Sequence, residues 1–260
     1  MIIWLNALNM SHQNFKREIN WIIQDKYNGR DNDPNLAKDI NRLKIGEPVD
    51  YIIGWKPFLN CRIDLSFRPL IPRPETEYWT QTALEELRKR DMTDTKILDL
   101  FAGSGCLGVA ILANTKNATV EFGEIDKRTT DQIELNLKLN NIPPQRYAIV
   151  ITDIFKQIKN SYDFILANPP YINPNRLGKV KKSVLDYEPP KALFGGSNGL
   201  EIISRFLRQA KGYLKEGGKI YLEFGNGQKR EVERVARDCG YSKVTTNKDQ
   251  FGNWRWATIE

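Results

Sequence analysis

The sequence predicts an α/β fold: a doubly wound, mostly parallel seven-stranded sheet with an antiparallel edge hairpin, preceded by a small helical N-terminal domain. Three observations predict it. From residue 75 onward, short apolar runs alternate with stretches of helical length and periodicity, the pattern of a parallel sheet covered on both faces. The first of those runs passes through a glycine-rich turn into a helix, a device that lets backbone approach a ligand. The last two runs, 241–247 and 253–259, lie too close together for a crossover helix, so they pair antiparallel.

Taken in order, residues 11–28 carry Phe15, Ile19, Ile22 and Ile23 at helical spacing, with Ser11 as N-cap and Gly29 as stop. A second helix over 35–44 is ended by Gly46 and Pro48. From Tyr51 to Leu70 the pattern becomes β-like and aromatic, with a turn at Asn60-Cys61, until Pro69, Pro72 and Pro74 interrupt it. The expected division is a small helical domain over 1–50, a β-rich linker over 51–74 and the main domain over 75–260. In the main domain, helix 75–90 leads to strand 96–100, and helix 106–114 to strand 118–125. Helix 127–140 precedes strands 148–152 and 162–167; helix 200–214, strand 219–224 and helix 229–239 then lead to the closing strand pair. The stretch between 167 and 200 reads as one long irregular loop, and such loops inside compact domains are usually functional.

Composition narrows the classes. Of 260 residues 40% are hydrophobic, enough for a large core, and 39 Lys and Arg against 32 Asp and Glu give a formal charge of +7. That excess suits an acidic partner, nucleic acid or the ribosome. Its densest run, Lys179-Val180-Lys181-Lys182, falls in the long loop. Cys61, Cys106 and Cys239 are odd in number and far apart, which argues for a reducing compartment rather than a disulfide framework. With His12 the single histidine, a histidine-based metal site or a Ser-His-Asp triad is not expected, and no metal is assigned. No apolar run is long enough to span a bilayer, and the first residues lack an Arg/Ser-rich transit pattern. The expectation is a soluble cytoplasmic protein with no membrane partner, the mitochondrial matrix being the other compartment left open.

Asn168-Pro169-Pro170-Tyr171 is the most informative stretch. It follows the apolar run Tyr162 to Ala167, at the strand end where open α/β sheets bind ligands. Asn168 offers one carbonyl acceptor and two N–H donors. The two prolines remove backbone donors and fix φ, and Tyr171 adds a flat ring. Together they make a stiff, acceptor-rich cradle for a planar –NH2 group; a plain Pro-Pro turn is the alternative. Upstream, Gly103, Gly105 and Gly108 satisfy the G-x-G-x-x-G pattern within Asp99–Gly108, and the next strand ends at Glu124 and Asp126. A carboxylate there can take both hydroxyls of a ribose, in dehydrogenases and methyltransferases alike. The third strand ends in Thr152-Asp153, where a carboxylate can accept from an adenine amino group or simply cap a helix. The Asn168 turn is what a nicotinamide site does not require.

In combination, Asp99–Gly105, Glu124, Asp153 and Asn168–Tyr171 resemble the class I S-adenosylmethionine-dependent methyltransferases of the amino-group type, a Rossmann-like fold. Further segments resemble the release factor glutamine N5-methyltransferases. These are Tyr51–Phe58, Leu70–Glu77, the Glu188-Pro189-Pro190…Gly195-Gly196 run followed by Gly199-Leu200, and Leu222-Glu223-Phe224-Gly225. The resemblance covers roughly 50–260. It implies methyl transfer from S-adenosylmethionine to the side-chain amide nitrogen of the glutamine in the Gly-Gly-Gln motif of a peptide chain release factor. That factor would be the protein partner of a monomer, recognised by the 1–50 domain.

By position, Phe101, Ala102, Gly103, Ser104 and Gly105 would lie along the methionine end of the cofactor. Glu124, rather than Asp126, would hold the ribose, at the family's distance from Asn136, leaving Asp126 to cap the next helix. Asp153 and Ile154 would border the adenine. Asn168 would face both the sulfonium and the substrate amide, with Pro169, Pro170 and Tyr171 completing the catalytic turn. Arg73, Glu75 and Glu77 would line the substrate rim. Three features depart from the family pattern: Phe101 stands at the first motif glycine, Glu124 replaces the usual Asp, and the N-terminal domain is short. Phe101 and the +7 charge favour an alternative, an RNA or DNA base exocyclic-amine N-methyltransferase acting on an unstacked base. Segments 70–77 and 188–200 favour the glutamine reading. A binding module without activity is a third reading, opposed by the intact Asn168 turn.

Overall fold

The computed structural model describes residues 12–89 and 94–260; the expected N-cap Ser11 and the helix end at Arg90 lie outside the described residues. Helix α1 (His12–Trp21) runs into a π-helical turn, Ile22–Lys26. Gly29, at φ +79°, then ends it, its N–H donating to the Ile23 carbonyl at 2.9 Å. With α2 (Leu36–Lys44) and α3 (Val49–Ile53) it encloses a separate apolar cluster of Phe15, Ile22, Tyr27, Leu36, Leu43 and Ile52. Asp39 is buried beside that cluster and is compensated by Lys26 Nζ and the Tyr27 hydroxyl, each at 2.6 Å, and by Arg42 Nη1 at 2.9 Å.

Two local expectations for 51–70 need correction. Tyr51–Ile53 is helical, because Pro48 starts a turn there and Gly54, at φ +92°, stops it. Strands β1 (Trp55–Phe58) and β2 (Cys61–Asp64) form the hairpin, but its turn is Leu59-Asn60, one residue earlier than expected. Both turn residues have positive φ, 45° and 67°, as a two-residue hairpin turn of matching twist requires. Cys61 instead opens β2 and is buried. The hairpin lies on the main domain: Phe58, Cys61 and Ile63 share one core with Trp79, Phe122 and Ile133. Asn136 accepts from the Asp64 N–H at 2.7 Å.

Helix α4 (Pro74–Arg88) leads to β3 (Lys96–Leu100), α5 (Cys106–Asn114), β4 (Thr119–Glu124), α6 (Lys127–Leu139), β5 (Tyr147–Ile151) and β6 (Tyr162–Ala167). The segment beyond β6 is less irregular than expected. It holds α7 (Lys182–Tyr187) and α8 (Pro190–Leu193), pieces too short for a helical period to register. Then follow α9 (Glu201–Ala210), β7 (Leu214–Glu223), α10 (Lys229–Asp238), β8 (Val244–Lys248) and β9 (Trp254–Ile259). The seven main strands run in the order β5-β4-β3-β6-β7-β9-β8, parallel through β7, with β9 antiparallel to both its neighbours.

Successive strand residues divide between two cores, as the period of two demands. Ile97, Val120, Phe164, Leu166 and Tyr221 enter one cluster; Leu98, Leu100, Ile165, Ala167, Ile220 and Leu222 enter the other. The sheet is therefore buried on both faces. Chain order reverses between β3 and β6, whose ends pair Leu100 with Ala167. The glycine turn and the Asn168 turn thus leave adjacent strands side by side, at the switch point where such sheets bind ligands. Among the described residues, no helix is long and apolar enough to cross a membrane.

Candidate active site

The turn after β3 takes left-handed backbone at Phe101 (φ +64°), Gly103 (+55°) and Gly105 (+76°). The N–H groups of Phe101 and Ala102 both donate to the Gly123 carbonyl, at 3.0 and 3.2 Å, which stitches the turn to the end of β4. Phe101 holds a conformation that glycine adopts without cost. Its ring packs edge-on against Phe206, with centroids 5.9 Å apart. Gly108 serves packing: a Cβ there would stand 2.3 Å from the Phe122 ring. Its N–H donates at 2.9 Å to Asp99 Oδ2, while Asp99 Oδ1, fully buried, has no hydrogen-bond partner among the described residues. Burial pushes the Asp99 carboxyl up to about 8.

A cavity of about 380 Å³ opens over these turns, within the size range of small-molecule sites. Its lining includes Phe101, Ala102, Gly103, Ser104, Glu124, Asp153, Ile154 and Asn168 from the expected set. Gly105 is absent from the lining and instead forms the N-cap of α5. Glu124 curls over the glycine turn: Oε2 accepts from Gly103 N–H at 2.9 Å, and Oε1 from Ile125 and Asp126 N–H at 2.8 and 3.0 Å. Asp126 caps α6 through the Arg128 N–H at 3.0 Å. Asn136, buried outside the lining, braces the glycine turn, its Nδ2 donating to the Ser104 carbonyl at 2.9 Å. Asp153 is half exposed and pairs with Arg205 Nη2 at 3.0 and 3.2 Å.

Asn168 lines this cavity and also a smaller pocket of about 80 Å³ shared with Pro169, Tyr171 and Glu223. The turn is braced from behind. Glu223, buried at the end of β7, accepts from the Thr76 hydroxyl and Trp79 Nε1, both at 2.7 Å, and from the Tyr171 hydroxyl at 3.1 Å. Burial pushes its carboxyl upward against the pull of Thr76, Trp79, Arg255 and Tyr171. Asn168 Nδ2 donates to the Thr76 hydroxyl oxygen at 3.4 Å. Tyr171 is held by its hydroxyl and by Gln228, which donates to its carbonyl at 2.9 Å. The Gly195–Gly199 run comes so close that a Cβ on Gly195 would meet the Pro170 carbonyl at 2.6 Å.

Of the acids at the start of α4, Glu77 turns to the hairpin, while Glu75 lies close enough to Arg255 to help hold that guanidinium charged. Glu77 accepts from the Leu59 N–H at 2.7 Å and anchors the hairpin turn. Glu75 lines neither pocket. Arg73 lines both, yet its guanidinium meets the buried Glu188 carboxylate at 2.5 Å, so it braces the 188–200 segment as well. The sequence reading gave no role to Thr76, Glu188, Arg205 or Glu223. Glu223 left a signal: it is an acid directly after the apolar run Ile220-Tyr221-Leu222, one position beyond Leu222, which pairs with Ala167. Arg205 left none, since an exposed arginine on an amphipathic helix is ordinary.

The Methyltransferase small domain family matches residues 75–186. In fold, the chain is similar to a ribosomal protein methylase from Lactobacillus delbrueckii subsp. bulgaricus (TM-score 0.56, 17% identity, 76% of this chain and 83% of that one). It is also similar to a Thermus thermophilus 16S rRNA methyltransferase solved with AdoMet and guanosine (TM-score 0.58, 17% identity, 79% and 49%). Curated relatives are much nearer in sequence. The release factor glutamine methyltransferase of Lactococcus lactis subsp. lactis is 31% identical over 99% of this chain and 92% of its own length. Those of Thermodesulfovibrio yellowstonii (37%, covering 81% and 75%) and Streptococcus pneumoniae (35%, covering 86% and 79%) agree with it. With a doubly wound sheet, a cavity at its switch point and this likeness along nearly the whole chain, the protein belongs to the release factor glutamine methyltransferase family.

Proposed function

We propose that this protein methylates the side-chain amide nitrogen of the glutamine in the Gly-Gly-Gln motif of a peptide chain release factor. The observation that carries the reading is Asn168, which stands on the boundary between a cofactor-sized cavity and a small pocket walled by Pro169 and Tyr171. The nucleic-acid alternative is not favoured, because the curated relatives that span this chain are glutamine methyltransferases.

The cofactor is S-adenosylmethionine, and the residues around the cavity fit it. Glycine-turn backbone would lie along the methionine end, and Ile154, which lines the cavity with Asp153, would give the adenine an apolar edge. Three backbone N–H groups already occupy Glu124, so about one of the roughly four acceptor sites of a carboxylate remains for a ribose hydroxyl. S-adenosylmethionine supplies an electrophilic methyl on a sulfonium; the chain supplies orientation and electrostatics. A carboxamide nitrogen is a poor nucleophile, its lone pair delocalised into the carbonyl. Asn168 Oδ1 and the Pro169 carbonyl would accept its two hydrogens, aim the lone pair at the methyl and favour the positive charge that develops on nitrogen. The Tyr171 ring and Pro170 would hold the amide plane. The alkylated amide sheds its proton to solvent readily, so no strong base is assigned.

Arg73 would shape the substrate rim by holding the 188–200 segment. The helices within the 1–50 domain would grip the release factor, and the 51–74 segment would join them to the methyltransferase domain at 75–260. A monomer working in the cytoplasm completes the reading. The test is incubation of purified protein and cofactor with a release factor, followed by peptide mass analysis of the Gly-Gly-Gln segment. A methyl on that glutamine supports the reading; methyl on nucleic acid and none on the factor overturns it.

A further inference from the structure

The shape of a carboxamide does not decide whether its oxygen or its nitrogen faces a substrate, since the two ends are nearly isosteric. The residues behind Asn168 decide it. Trp79 Nε1 can only donate, and it gives its hydrogen to Glu223 Oε2 at 2.7 Å. Arg255 Nη1 can only donate, and it lies 3.3 Å from the Tyr171 hydroxyl oxygen. Tyr171 must therefore send its own proton to Glu223 Oε1, at 3.1 Å. Thr76 has one hydroxyl proton, and the carboxylate 2.7 Å away takes it. The Thr76 oxygen is left as an acceptor, and it stands 3.4 Å from Asn168 Nδ2. Asn168 must turn its N–H toward Thr76 and its Oδ1 away.

We infer that Thr76 and Glu223 are positioning residues: the buried carboxylate, acting through the Thr76 hydroxyl, fixes the Asn168 oxygen toward the substrate amide and makes it a stronger acceptor. The inference rests on the proposed role of Asn168 in holding that amide. The chain runs Asn168 N–H to Thr76 O–H to Glu223 carboxylate, and hydrogen bonds in series toward a buried charge polarise one another. Negative charge pushed onto Asn168 Oδ1 favours the transition state, where the substrate nitrogen becomes positive, more than the ground state. Every group in the chain comes from a different element: Thr76 from the first turn of α4, Asn168 from the end of β6, Glu223 from β7. The placement of three elements thereby sets the orientation of one side chain.

The test is the single-turnover rate of methyl transfer to purified release factor at saturating cofactor, with cofactor affinity measured separately by calorimetry. Thr76→Val, which keeps the shape and removes the hydroxyl, slows transfer about ten- to hundredfold, the range for a lost hydrogen bond to a charged group. KM for the factor and cofactor affinity stay near those of the unaltered protein. Thr76→Ser restores the rate. Glu223→Gln, which removes the charge, slows the same step, and adding Thr76→Val to it costs less than the two separate effects predict. Should Thr76→Val fail to bind cofactor, Thr76→Ser and Glu223→Gln decide. An unaltered rate in Thr76→Val or Glu223→Gln, or a Thr76→Ser protein as slow as Thr76→Val, overturns the inference. Asn168→Ala separates it from the reading beneath it. A slow Asn168→Ala beside a fast Thr76→Val removes this inference alone, whereas an Asn168→Ala protein at full rate removes the proposed role of Asn168.

Discussion

Arg73 and Glu188, 115 residues apart in the chain, meet at 2.5 Å, and the same carboxylate accepts from the Ile71 N–H at 3.1 Å. This pair ties the start of the catalytic domain to the segment that backs the Asn168 turn. Arg73→Ala takes the charged partner from a buried carboxylate, and breaking such a pair costs about 3 kcal/mol. Urea denaturation should show that loss. Arg73→Lys should recover only part of it, because an ammonium cannot reproduce the guanidinium geometry.

Gly108 answers a different constraint. An added Cβ would stand 2.3 and 2.5 Å from Phe122 ring atoms and 2.9 Å from Val120, in a fully packed layer between α5 and β4. Gly108→Ala should destabilise the protein by ~1–3 kcal/mol, the usual cost of overpacking. Thermal unfolding of the variant measures this. A stability equal to that of the unaltered protein would mean that the helix can shift away from the sheet.

Asp99 gives a pH dependence whose sign is fixed. Its carboxyl is raised by burial from the ordinary value of 3.8 to about 8, so the folded state binds a proton that the unfolded chain has released. The stabilisation from the neutral acid is full below the unfolded value of 3.8 and is lost progressively as pH rises toward 8. Asp99→Asn mimics the neutral form and should flatten this part of the profile. As pH rises within the window, the difference in unfolding free energy between the two proteins should move in favour of the Asp99→Asn variant by about 1.4 kcal/mol per pH unit. Denaturation at a series of pH values measures it, and a difference that does not change with pH would contradict the assignment.

The strands, the glycine turn and the Asn168 turn were legible because each is local: a period, a run of small residues, a Pro-Pro stop. Strand 96–100, helix 106–114 and strand 162–167 coincide with the structure at both ends. Asp126 as a helix cap was legible for the same reason. What the chain hides is long-range. The hairpin turn shifted by one residue because Cys61 is claimed by the core of the main domain, which no local pattern records. Glu77 looked like a rim acid and instead binds Leu59 N–H, 18 residues upstream. Glu223 and Thr76 meet across 147 residues, so the support of Asn168 becomes visible only once β6, β7 and α4 are assembled.

The central claim is that Asn168 presents a glutamine amide to the methyl donor. Its most direct measurement is the rate at which a purified release factor gains one methyl on its Gly-Gly-Gln glutamine, for the unaltered protein and for Asn168→Ala, with cofactor affinity read in parallel. The account predicts methylation by the unaltered protein, a rate reduced about 10²–10³-fold in Asn168→Ala by analogy with a lost oxyanion-hole donor, and cofactor affinity left near its original value. A release factor that stays unmethylated, or an Asn168→Ala protein that methylates it at full rate, would contradict it.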